Sequence, residues 1–134
     1  MNTEIQKISK GEITLNDVQD KIIRIQDRNV LLDSDVAWLY GVETKRVNEA
    51  VNNNPDKFPE GYIFRLESNE WQNLKSKIST SSWGGKNKLP NAFTEKGLYM
   101  LATILKSEKA TETTIAIVEA FAKMRELSNK LKIK

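Results

Sequence analysis

The sequence predicts an α+β fold: a mostly helical single domain with a small β-hairpin or sheet, a helix-turn-helix-like pair and a long C-terminal helix. Three observations carry this. Short β-branched, aromatic or apolar runs at Lys21–Ile25, Val30–Leu32 and Tyr62–Leu66 read as strands. Elsewhere apolar residues recur at helical spacing. A length of 134 residues, 39% hydrophobic and 29% charged, fits one globular unit that can bury roughly two-thirds of its unfolded surface without a disulfide or metal.

Residues 1–20 are polar with scattered Ile and Leu, and Gly11 interrupts any long helix, so they read as a loosely attached lead-in. Lys21–Ile25, a polar turn at Gln26–Asn29 and Val30–Leu32 make a hairpin. Asp33 or Ser34 is positioned to cap a helix carrying Val36, Ala37, Leu39 and Tyr40, which Gly41 stops. Thr44 caps a second helix with Val47, Ala50 and Val51 as its stripe, and Pro55 forces the chain out of it. Phe58–Gly61 turns into a strand at Tyr62–Leu66. Ser68 caps a third helix through about Lys77, with Trp71, Leu74 and Ile78 on one side. Ser79–Asn91 has no periodicity and reads as a 13-residue loop. Thr94 caps a fourth helix over Glu95–Lys106, apolar around much of its girth through Leu98, Leu101, Ala102 and Leu105. Ser107 caps a fifth from about Glu108 to Lys130, with Ile117, Val118, Phe121, Met124 and Leu131 as its stripe. Its length comes to ~35 Å at ~1.5 Å per residue.

Composition removes whole classes of chemistry. No Cys means no disulfide, thiolate zinc site or thiol nucleophile. No His means no serine triad, imidazole base or imidazole metal ligand. Only a carboxylate metal site stays open; Asp33, Asp35 and Glu43 lie near one another in the sequence, but Asp33 and Asp35 read better as caps of their helix. The strongest apolar run, Leu98–Leu105, falls far short of the ~20 residues a spanning helix needs. The first residues lack the pattern of a secretory signal, so a cytoplasmic setting is expected. No phosphate-loop or dinucleotide glycine pattern occurs, and no cofactor is expected. The formal net charge of +3 is small but unevenly spread: −4 over residues 1–71 against +7 over residues 72–134.

Residues 33–51 are the most informative stretch. Two helices meet across Gly41–Glu43, with the small Ala37 four residues before the glycine. Gly41 supplies the positive φ that a sharp turn needs, and Val42 and Val47 fill the angle. This is the pattern of a helix-turn-helix, whose second helix enters the DNA major groove. With Val47, Ala50 and Val51 inward, Lys45, Glu49 and Asn52 point outward, flanked by Arg46 and Asn48. Asn pairs with adenine and Arg with guanine; Thr44, Lys45 and the first-turn N–H groups suit a phosphate. Glu49 repels phosphates unless it accepts from a cytosine. The same pattern also describes a plain αα-corner with no ligand.

The loop around Trp83 allows two readings as well. Gly84-Gly85 can form an anion-binding nest, to which Lys86 and Lys88 add charge and Ser81 and Ser82 add hydroxyl donors. Alternatively Trp83 buries its ring and the glycines only turn the chain.

Taken in order, Val30-Leu31-Leu32-Asp33, the run Leu39-Tyr40-Gly41-Val42-Glu43-Thr44-Lys45-Arg46-Val47-Asn48-Glu49, Phe58-Pro59, Phe64, Thr80-Ser81-Ser82-Trp83-Gly84-Gly85, Leu89-Pro90, Ala92-Phe93-Thr94-Glu95 and Gly97 resemble the ORF-six N-terminal domain, a phage and prophage module related to the KilA-N and Bro-N domains. The resemblance covers about residues 21–125. It implies a DNA-binding domain over 21–125, with residues 126–134 as the end of the last helix and a basic tail. It implies a phage regulatory, antirepressor-like role and no catalytic residue, so the chain is not expected to be an enzyme. Where the family often has Arg after the two glycines, this chain has Lys86, which keeps the charge and loses the bidentate fork, leaving a phosphate rather than a base contact. Where it often has an aromatic after the proline, this chain has Asn91.

The expected partner is therefore double-stranded DNA, contacted by Thr44, Lys45, Arg46, Asn48, Asn52, Ser81, Ser82, Lys86 and Lys88. The alternative is a protein-interaction module that holds a repressor or forms a homodimer through the amphipathic fifth helix. No membrane partner and no metal are expected.

Overall fold

The hairpin forms where the sequence places β-branched residues on both sides of a polar pair. Ile23–Ile25 (β1) runs antiparallel to Arg28–Leu32 (β2), with Ile23 opposite Val30 and Ile25 opposite Arg28. The turn is two residues rather than four. Gln26 and Asp27 both take positive φ, 54° and 61°, the twist that suits a tight hairpin. Arg28 and Asn29 therefore belong to the strand. The computed structural model of the chain describes residues 13–77 and 88–133.

Two further strands complete the sheet, Ile63–Arg65 (β3) and Asn91–Phe93 (β4), in the order β1-β2-β4-β3 with every pair antiparallel. β4 lies partly in the segment read as loop. It is three residues long, too short to display an alternating pattern. Its pairing is wholly non-local, Leu31 to Phe93 on one side and Arg65 to Asn91 on the other.

The sheet buries both faces. Leu31 and Phe93 enter the main core, while Val30, Leu32 and Ala92 meet Leu66 and Trp71 in a second cluster. Trp71 belongs to Ser68–Lys77 (α4 in chain order), the third helix anticipated above.

The main core is helical. Leu15–Lys21 (α1) corrects the reading of residues 1–20 as loose, over 13–20. Thr14 and Asp17 form a reciprocal capping box, and Val18 is fully buried against the main core. The Ile13 N–H donates to Glu112 Oε2 at 2.8 Å. The Leu15, Val18, Ile22 spacing that permits this is present in the sequence, but it has a partner only once the C-terminal helix lies beside it.

Asp33–Tyr40 (α2) and Thr44–Asn52 (α3) form the predicted angled pair. Gly41 sits between them at φ 71°, ψ 34°, and the Val42 N–H donates to the Ala37 carbonyl at 3.0 Å. The capping residues differ from expectation. Leu32 and Glu43 occupy the N-cap positions without a side-chain cap bond, so neither Asp33, Ser34 nor Thr44 caps.

Glu95–Ala102 (α5) is capped by Thr94, whose hydroxyl accepts from the Gly97 N–H. It ends four residues before Lys106, the end read from the sequence. The Thr103 hydroxyl donates back to the Met100 carbonyl at the last turn. Ala110–Ile133 (α6) then runs 24 residues, or ~36 Å. Ser107 does not cap it; its hydroxyl donates to the Tyr40 carbonyl at 3.0 Å, tying the α5–α6 connection to the end of α2. The buried stripe of α6 is Thr113, Ala116, Ile117, Ala120 and Phe121. Val118, expected within it, stands one position off and is 40% exposed. Glu95 accepts from both Tyr99 and Arg125, which pins α6 to α5. No described helix is long and apolar enough to cross a membrane.

Candidate functional site

The second helix of the angled pair has an inner and an outer side, as its spacing requires. Val47 and Val51 are buried, and Lys45, Arg46, Glu49 and Asn52 are exposed. Beside it lies a cleft of about 190 Å³, lined by Thr44, Asn48 and Asn52 from α3, Asp33 and Ser34 from α2, Arg65 from β3, and Lys88–Asn91 leading into β4. Thr44, Asn48, Asn52 and Lys88, proposed from sequence as contacts, are thus brought to one place.

The remaining contacts separate. Lys45 is exposed but does not line this cleft. Arg46 points to another neighbour: its Nη2 donates to the Lys106 carbonyl in the α5–α6 connection. Ser81, Ser82 and Lys86, together with Trp83 and the two glycines, lie outside the described residues.

Asn48 is not a free amide. Its Nδ2 donates to Asp33 Oδ2 at 3.0 Å, and its Oδ1 accepts from Asn91 Nδ2 at 3.1 Å. The Asn91 backbone N–H donates to the same Asp33 oxygen at 3.2 Å. Asn91 Oδ1 in turn faces Arg65 Nε at 3.5 Å, the longest link. A buried carboxylate, 7% exposed, thereby receives two N–H groups, as a desolvated charge requires. Asp33 spends its side chain clamping α3 to β4 instead of capping α2.

Sequence reasoning missed Arg65 and the bridging role of Asn91. Both stand at strand ends, and they become neighbours only because β3 pairs with β4. The departure from the family pattern at Asn91 was the one available hint, since a polar residue there needs polar company.

Two lysines of the basic second half lie near the angled pair. Lys88 enters the cleft, and the Lys109 side chain lies against Gly41 in the helix-helix turn. The opposite flank of α2 differs in character: Lys21 lies 3.9 Å from Asp35 and 4.6 Å over the ring of exposed Trp38. Among the described residues no cluster of three or more Asp or Glu is arranged to hold a metal.

A protein-family model described as the ORF6N domain matches residues 20–104. The match runs from the end of α1 through α5 and includes the hairpin, the angled pair, the cleft and all four strands. No curated protein and no solved structure matches the chain.

Proposed function

The chain belongs to the ORF6N domain family, a phage-associated domain of the KilA-N/Bro-N type, and from that premise we propose that it is a double-stranded DNA-binding module of a phage or prophage regulatory, antirepressor-like protein acting in the bacterial cytoplasm. One observation supports this most: the cleft that gathers Thr44 and Asn52 of the second helix with Lys88 of the basic half. Asn52, exposed on the outer side of α3, suits a base edge. Lys45 and Lys88, both exposed, suit phosphates, with Thr44 at the helix start. Asn48 takes a positioning role, since both ends of its amide are already bonded. No cofactor and no catalytic step enter this account.

The test is a fluorescence titration of labelled duplexes at roughly 50 mM salt, where phosphate contacts are strong. Binding is expected, and Lys45→Ala weakens it more than removal of Lys123 or Lys130 near the end of α6. Absence of binding to every duplex tried, genomic or random, contradicts the reading.

A second reading, partner binding through α6 to a repressor or to a second copy, is favoured by Leu127. It continues the Thr113, Ile117, Ala120, Met124 spacing yet is 51% exposed, so the apolar stripe runs past the core that covers it. Light scattering across concentration discriminates: self-association abolished by Leu127→Glu favours it, and a monomer at all concentrations removes the homodimer.

A further inference from the structure

We infer that Arg65, at the end of β3, is a specificity-determining residue of the interface, presented to the cleft by Asn91. This rests on the DNA-binding reading above. A guanidinium only donates hydrogen bonds and a carboxylate only accepts them. Between Arg65 and Asp33 stand two amides, each of which does both. Arg65 Nε donates to Asn91 Oδ1, Asn91 Nδ2 to Asn48 Oδ1, and Asn48 Nδ2 to Asp33 Oδ2. The donor-only end and the acceptor-only end fix the orientation of both amides, because flipping either would set donor against donor. The four side chains form one polarised chain in which each bond strengthens the next.

Two consequences follow for recognition. Asn48 is engaged at both ends of its amide, so turning it to grip adenine breaks its bonds to Asp33 and Asn91 and leaves the buried Asp33 carboxylate with one of its two N–H donors, that of the Asn91 backbone. Arg65 is the opposite case. It is exposed, its Nε is directed by Asn91, and its Nη1 and Nη2 groups have no protein acceptor among the described residues. Those terminal groups are the fork that grips O6 and N7 of guanine. The reading surface is therefore composite: Asn52 from α3 and Arg65 from the sheet, both lining one cleft.

The experiment starts from duplexes enriched from a random-core pool by the wild-type chain. It compares their affinity with that of scrambled duplexes for wild type, Arg65→Ala, Arg65→Lys, Asn91→Ala and Lys45→Ala. Arg65→Ala is expected to lower the enriched-to-scrambled ratio about tenfold, the loss centring on guanine positions. Arg65→Lys keeps the charge without the fork, so it restores affinity for scrambled duplex but not the ratio. Asn91→Ala lowers the ratio in the wild-type background and has no further effect on it in the Arg65→Ala background, an effect that mere structural support would not produce. Lys45→Ala weakens both duplexes alike. A wild-type ratio in folded Arg65→Ala overturns the inference and leaves the DNA-binding reading standing. A wild-type chain that binds no duplex overturns both.

Discussion

Asn48 shows what a single side chain hides from a sequence reader. Helical spacing places it beside the outer face of α3, and its residue type suits a base, yet the structure uses it as a link between Asp33 and Asn91. Those partners lie 15 residues before it and 43 after it, and only folding makes them neighbours. Asn52, one turn on, is exposed as its spacing predicts, and so are Lys45 and Glu49. The distinction is measurable. Asn48→Ala should lower unfolding free energy by about 1–3 kcal/mol, because the buried Asp33 carboxylate loses a donor. Lys45→Ala should stay within about 0.5 kcal/mol of wild type, as exposed substitutions usually do. Denaturant melts at neutral pH check both. Tyr40 makes a second residue-scale prediction. It is 1% exposed, and its hydroxyl is 2.8 Å from Thr114 Oγ1. Burial pushes its pKa above the ordinary 10.0, the Thr114 bond acting in the opposite direction. A phenol whose folded pKa is raised contributes stability that is intact below its unfolded value and lost as pH rises through the folded one. Stability should therefore decline above about pH 10. Tyr40→Phe should cost about 1 kcal/mol at neutral pH through the lost hydrogen bond and decline less steeply in alkali.

Elements were readable where their cause is local. Gly41 stops α2 and turns the chain into α3 because only a residue content at positive φ does so without strain, and this is written in the sequence. Thr94 caps α5 for an equally local reason. Other elements depend on distant partners. β4 exists because β2 and β3 offer it edges on both sides, and α1 is held because α6 offers it a face. Ser107 has the right type to cap α6 but faces the Tyr40 carbonyl instead, so the helix starts later. In the sequence Gly97 stands only as part of a motif, and packing explains it. A Cβ there would stand 2.0 Å from the Tyr62 carbonyl oxygen, which accepts from both the Thr94 N–H and its hydroxyl. The first turn of α5 thus presses on the turn before β3 at backbone distance. Gly97→Ala must displace main chain, and it should cost roughly 2–4 kcal/mol, readable as a lowered Tm. An unchanged Tm would mean that α5 does not approach the sheet this closely.

At the scale of the whole molecule, the uneven charge set a condition on the DNA-binding proposal. The second helix of the pair lies in the acidic half of the sequence, −4 over residues 1–71, so the basic half had to fold beside it. Lys88 in the cleft and Lys109 against Gly41 are the lysines of that half that reach the pair among the described residues. The linear sequence could state it but not satisfy it, since the sheet order β1-β2-β4-β3 does the joining. The family match closes at residue 104, so the core of α6 completes the domain from outside the matched segment, while its apolar stripe continues to Leu127. The most direct test of the central claim is the salt dependence of duplex binding, measured by fluorescence anisotropy from roughly 50 to 200 mM salt. The account predicts that log K falls linearly with log salt, and that Lys45→Ala and Lys88→Ala each reduce the slope by about 0.9 as one phosphate contact is lost. Binding that is absent at the lowest salt, or whose slope neither substitution alters, would contradict it.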